Sequence, residues 1–221
     1  MASNKNAYIN NFYSFLGELV KGKSVLDCGA AGEEGVPETS PHWVHGLVEK
    51  NASYCLGFDI EPDAVSELKS KGHNIVSGDC EDLHLNTDKK FDVIFAGEII
   101  EHLSRPGNFL ESVKAYMDKS NGILVITTPN SFSLLRGAGN VFGFTKENPQ
   151  HVSVHNRKTL EQLLERHGFE ICDTYFFTTP AFYENERMNI LRKAICLPME
   201  IAFSLRPQLA HQLLIIAKIR N

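Results

Sequence analysis

The 221-residue sequence has no C-x-x-C pair, no G-x-G-x-x-G run, no excess of basic charge and no long uninterrupted apolar stretch. Without a C-x-x-C pair, zinc-ribbon and dithiol redox chemistry are unsupported. The five cysteines, Cys28, Cys55, Cys80, Cys172 and Cys196, are odd in number, far apart and mostly set in apolar runs. They read as reduced core residues of a cytosolic, cytoplasmic protein. A formal net charge of −5 with interspersed signs argues against gripping a polyanion, so nucleic acid is not an expected partner. The first residues lack the basic region and apolar core of a signal peptide; Tyr8, Phe12, Phe15, Leu16 and Leu19 recur at helical spacing, which predicts an amphipathic helix within 1–22. The segment from Ile190 to Leu205 is too short to span a bilayer and carries Arg192, Lys193, Pro198 and Glu200. It reads as part of a helical insertion over 181–205, suited to packing on the domain, to a substrate lid or to a homo-oligomer face.

What the chain does have is alternation. Apolar, β-branched runs, "SVLDCG", "YCLGFDI", "HNIVSGD", "FDVIFAG", "GILVITTP", "EICDTYFF" and "HQLLIIAKI", predict seven strands. Helical patterns near 41–51, 61–71, 106–118 and 157–167 lie between them. This is the signature of an α/β protein: mostly parallel strands, right-handed crossovers and helices on both faces of one sheet. Length and 43% hydrophobic content suit a single domain over 1–221. Residues 129–156 interrupt the rhythm with a long, glycine-bearing, aromatic stretch, which reads as a lid or binding loop.

In open parallel sheets the ligand crevice lies beyond the carboxyl ends of the strands. Gly29 and Gly32 follow the first strand and allow a tight turn with close backbone approach. Asp59 ends the second strand, where an acid can accept both hydroxyl hydrogen bonds of a ribose. Asp79 and the backbone of Cys80 follow the third, placed to receive an adenine amine. Asp27, Asp59 and Asp79 thus surround one adenosine-sized slot with no glycine cradle for a pyrophosphate. A cationic ligand without phosphates suits that slot better than NAD does.

Taken in order, "VLDCGAAGEEG", "LGFDIEPD", "VSGDCEDL", "FDVIFAGEIIEHLSRPGNFLESV", "GILVITTPN" and "KTLEQLLERHGFEI" resemble the motifs of the class I S-adenosylmethionine-dependent methyltransferases. The resemblance implies a Rossmann-like sheet of seven strands, the seventh antiparallel, with an extra helical segment before the last strand. It implies S-adenosyl-L-methionine as cofactor, with Asp27, Gly29, Ala30 and Gly32 beside its methionine part, Asp59 at the ribose, Asp79 and Cys80 at the adenine, and Ile60 and Gly97 also among the cofactor-binding residues. The sequence departs from the commonest G-x-G-x-G loop, with Ala31 at the second glycine and Glu33 at the third. "SPHWVHGLVEKNASYCLGFDI" and "ENPQHVSVHNRKTLEQLLERHGFEI" are similar to a bacterial and archaeal subgroup often associated with glycan and sugar modification.

Directly after the fourth strand, "GEIIEHLSRP" puts Glu98, Glu101 and His102 at i, i+3 and i+4, one face of a helical turn. Ser104 and Pro106 read as cap and first turn of the next helix. His151, in the lid stretch, is a fourth group. The E-x-x-E-H pattern with a downstream histidine is similar to the metal sites of small-RNA 3′-terminal 2′-O-methyltransferases, and its surroundings to those of ubiquinone-pathway O-methyltransferases. That likeness implies Glu98, Glu101, His102 and His151 as ligands of Mg²⁺, Mn²⁺, Fe²⁺ or Zn²⁺. The alternative is a metal-free site in which a glutamate hydrogen-bonds and the histidine packs or acts as base, with His102, Glu101 and His151 the catalytic candidates. His42 and His45, flanking Trp43, fit either an acceptor pocket or a helix start; His155 is a reserve base or ligand, and His73, His84, His167 and His211 read as solvated or packed. The expected activity is O-methylation of a small polar acceptor, a sugar or other hydroxylated metabolite. The rivals are terminal methylation of RNA and a non-catalytic cofactor-binding scaffold, with an NAD oxidoreductase last.

Overall fold

A computed structural model of the protein describes residues 5–32, 38, 40, 42–143, 148–178, 199 and 201–220. Eight strands form one sheet: β1 (Lys5–Ile9), β2 (Ser24–Cys28), β3 (Tyr54–Asp59), β4 (Ile75–Ser77), β5 (Val93–Gly97), β6 (Ile123–Pro129), β7 (Phe169–Phe177) and β8 (Gln212–Ile219), in the order β1-β7-β8-β6-β5-β2-β3-β4. All neighbours run parallel except β8, antiparallel to both β6 and β7. The helices are α1 (Phe12–Val20), α2 (Val44–Asn51), α3 (Pro62–Ser70), α4 (Pro106–Lys114), α5 (Leu134–Phe142) and α6 (Arg157–Arg166).

The side-chain period of two sorts the core into layers. Leu26, Ile94, Leu124, Leu213 and Ile215 point to one face and pack with Phe109, Leu110 and Val113 of α4 and Leu160 and Leu164 of α6. Their neighbours Val25, Val93, Phe95, Val125, Leu214 and Ile216 point to the other, against Phe12, Leu16 and Val20 of α1 and Val48 of α2. Each such fully buried side chain contributes about 1.5–3 kcal/mol. Two apolar faces on the central strands explain why their sequences read as continuous hydrophobic runs rather than alternation.

Three expectations are revised. The N-terminal segment does not enter directly as a helix: Tyr8 lies in β1, an eighth strand pairing parallel with β7, and α1 starts only after Asn11, whose side chain accepts the Ser14 amide at 3.0 Å. The lid stretch contains α5, capped by Ser133 and stopped by Gly143 at φ +74°. Ser104 is not a helix cap; Arg105 occupies that position before Pro106. Of the expected insertion over 181–205, residues 181–198 and 200 lie outside the described residues, while 201–205 are helical and Phe203 is buried with its ring centroid 6.0 Å from that of Tyr8. No described helix is long and apolar enough to cross a membrane.

Candidate active site

The pairings Cys28 with Ala96 and with Phe58, and Asp59 with Ser77, bring the carboxyl ends of β2, β3, β4 and β5 to one edge. There the chain leaves β2 through Gly29 at φ +81°, and a Cβ at that position would stand 2.5 Å from Ile99 Cγ2. Only glycine meets both the conformation and the approach. The Gly29 amide donates to the Phe58 carbonyl at 2.8 Å, fastening the loop to β3. Asp59 is buried, and each oxygen accepts one backbone N–H, from Glu61 at 3.0 Å and Ala31 at 2.9 Å. A carboxylate has about four acceptor positions, so two directions remain for a vicinal diol. Beyond it Ile60 is 60% exposed, an apolar surface at the crevice mouth. Asp79 is exposed and accepts the Glu81 amide at 2.8 Å as it opens the 3₁₀ turn Cys80–Asp82. The Cys80 thiol beside Cys28, together with burial, pushes the Cys28 thiol well up and keeps it protonated.

Asp27 behaves differently from the other two acids. Its buried carboxylate accepts His45 Nδ1–H at 2.7 Å, so it is tied to α2 beneath the loop. Burial raises its pKa, and the His45 hydrogen bond and charge oppose that rise.

After β5, Glu98 has φ +53°, a left-handed conformation uncommon for a residue with a side chain. Such strain costs about 1–3 kcal/mol and persists where surrounding contacts enforce it. Here the Glu98 amide donates to the Thr127 carbonyl at 3.1 Å, and its carboxylate accepts Gln212 Nε2–H at 3.1 Å. The chain then turns, with His102 N–H donating to the Ile99 carbonyl. This points Glu101 inward: it is 2% exposed, one oxygen accepting the Thr128 hydroxyl at 2.9 Å and the other 4.0 Å from His151 Nε2. The Glu101 carbonyl accepts the amides of Val152 at 2.9 Å and Ser153 at 3.1 Å, which docks the lid stretch on the turn. The His102 and His151 rings meet edge to face, 4.8 Å between centroids. Glu101, His102 and His151 each bring one donor atom within 4.8 Å of the others. Glu98 stands outside that group, facing Gln212.

Two supports were not read from the sequence. Glu81 accepts the amides of Ser104 and Arg105 at 2.6 and 3.1 Å and the Arg105 Nε–H at 2.7 Å, locking the turn's exit; the Arg105 guanidinium holds its carboxyl below the usual range. Asn130 donates to the Gln208 and Ala210 carbonyls and fixes the root of the lid. Of the other histidines, His155 is buried with Nε2 3.0 Å from the Ser153 hydroxyl, His42 lies against the Tyr13 ring, and His84 and His167 pair with Asp82 and Glu111.

Residues 1–174 match the family model of the methyltransferase domain. This chain belongs to that family. A Mycolicibacterium smegmatis protein described as a "probable S-adenosylmethionine-dependent methyltransferase" is 26% identical over 164 residues, which are 73% of this chain and 58% of that protein. The methyltransferase chain therefore spans less than two thirds of that relative's length. Among solved structures, a SAM-dependent methyltransferase from Archaeoglobus fulgidus aligns with TM-score 0.61 and 22% identity over 93% of this chain and 92% of its own. Magnesium protoporphyrin IX methyltransferase from Synechocystis, solved with bound SAH, aligns with TM-score 0.56 and 15% identity over 95% and 83%. At these identities the structural likeness speaks for the fold, which is that of the class I methyltransferases.

Proposed function

We propose that this member of the methyltransferase family transfers the methyl group of S-adenosylmethionine to an oxygen of a small hydroxylated acceptor, a sugar or related metabolite. The reading is carried by the convergence of Glu101, His102 and His151 at the sheet edge that also bears Gly29 and Asp59. Asp59 accepts the ribose hydroxyls, Asp79 the adenine amine, and the Gly29–Gly32 loop passes the methionine part. The sulfonium already activates the methyl group, so the protein's share is alignment and removal of one proton. His102 takes the proton from the acceptor hydroxyl as the oxygen–carbon bond forms and the carbon–sulfur bond breaks, releasing S-adenosylhomocysteine. Glu101, buried and held by Thr128, fixes His151 and balances positive charge on the imidazole pair. One carboxylate and two imidazoles also fit a divalent ion such as Mn²⁺, Fe²⁺ or Zn²⁺, which when bound would acidify the acceptor hydroxyl.

Screening hydroxylated metabolites for methyl transfer, with His102→Ala beside the parent, tests this reading. Loss of about 10²–10⁴-fold in turnover with cofactor binding retained is expected. Unchanged turnover in that variant would remove His102 from the chemistry. Chelator separates the two modes of proton removal: full activity in its presence assigns the step to the side chains alone.

A further inference from the structure

A second group of ligand-type side chains lies between α2 and the segment before β4. His45 and Glu49 stand four residues apart and share one face of α2. His73 approaches from the loop after α3, and one donor atom of each of the three lies within 4.8 Å of the others. With Nδ1–H given to Asp27, the lone pair of His45 is on Nε2, which is buried and has no hydrogen-bond partner among the described residues. His45 as a whole is 2% exposed. A buried ring nitrogen left unsatisfied costs about 1–3 kcal/mol, so the fold carries an unmet acceptor there.

The surroundings are built around these rings. A Cβ at Gly57 would stand 2.8 Å from His45 Cε1, so β3 has a glycine where the imidazole sits. The Trp43 ring lies edge-on to both imidazoles, 5.4 Å from His45 and 5.0 Å from His73 between centroids. His73 bonds Glu49 at 2.7 Å and Glu38 at 3.2 Å, and Glu38 also meets Lys71 at 2.6 Å.

We propose that His45, Glu49 and His73 bind a divalent cation of borderline softness, Zn²⁺, with Asp27 as the carboxylate that orients His45 from behind. Two imidazoles and one carboxylate disfavour Mg²⁺ and Ca²⁺, which take oxygen ligands, and leave a fourth tetrahedral position for water. A histidine ligand donating its other N–H to a carboxylate is the usual way such a ring is held. In this structure His73 is held between the Glu49 and Glu38 carboxylates, which keep its ring aimed at the gap beside His45. The site braces α2 and β4 under the cofactor loop through Asp27, independently of the acceptor chemistry.

Trp43, the only tryptophan of the chain, is a built-in reporter. Co²⁺ is titrated into the full chain carrying His102→Ala and His151→Ala, which removes the imidazoles of the other cluster. Saturable quenching of Trp43 fluorescence at one equivalent, with visible Co²⁺ absorption bands reversed by Zn²⁺, is the expected result. His73→Gln, at a partly exposed position, is expected to weaken binding at least tenfold and to abolish the Zn²⁺-dependent rise in Tm expected of the parent. Failure to quench, or quenching that His73→Gln leaves unchanged while circular dichroism shows a folded protein, would overturn the proposal.

Discussion

Asp59 has one backbone N–H on each oxygen, so its carboxylate is positioned before any ligand arrives. Asp59→Asn turns one of these oxygens into an N–H donor, which sets it against the amide of Ala31 or Glu61, and hydrogen bonds to a charged group are worth about 1.5–3 kcal/mol. Calorimetry is expected to show S-adenosylmethionine binding roughly 10- to 100-fold weaker, accompanied by a lower Tm. Gly29→Ala acts through the backbone: φ +81° and the approach of Ile99 leave no unstrained place for a methyl group. A loss of about 1–3 kcal/mol in urea unfolding, together with weakened cofactor binding, is expected. Both residues were legible in the sequence because each ends or follows an apolar run, where the fold rule puts ligands. Glu81 was not, since the amides it accepts belong to Ser104 and Arg105, 23 and 24 residues further on. The same holds for His45: its partner Asp27 is 18 residues away in another element.

At the scale of elements, the lid stretch is held through the backbone carbonyls of two buried or half-buried histidines. His155 accepts the Ser131 amide through its carbonyl, and His211 that of Asn130. Burial lowers the pKa of His155; burial, and then the charge of Arg136, lowers that of His211. A histidine lowered in the folded state binds fewer protons than in the unfolded chain. Its stability contribution is complete above the unfolded value of about 6.5 and is lost as pH falls from there through the folded value. His73 has the opposite sign: its raised value contributes stability below about 6.5 that fades as pH rises through the folded value. Urea midpoints measured from neutral pH downward are expected to fall less steeply in His155→Gln than in the parent. Helix α5 escaped notice in the sequence because Gly137 and Gly139 weaken its propensity, although Ser133 and Gly143 carry the start and stop signals. Strand β1 escaped because five residues reading "KNAYI" carry too little pattern; pairing with β7 supplies what propensity does not.

For the whole molecule, the order of the sheet matters more than any single motif. Placing β2 between β3 and β5 gathers Gly29, Asp59 and Glu98 at one edge, though they lie far apart in sequence. Antiparallel β8 brings Gln212 onto Glu98 and seats the root of the lid, contacts that a list of strand candidates does not contain. The alternation of strands and helices made the parallel sheet readable from sequence, whereas the grouping of Glu101 with His151 depends on how the lid folds back on the turn. The central claim is that this edge is a site for S-adenosylmethionine, and the direct test is calorimetry of the full chain with that cofactor and with NADH. The account predicts micromolar binding of S-adenosylmethionine that Asp59→Asn weakens and no heat from NADH; micromolar binding of NADH with none of S-adenosylmethionine would contradict it.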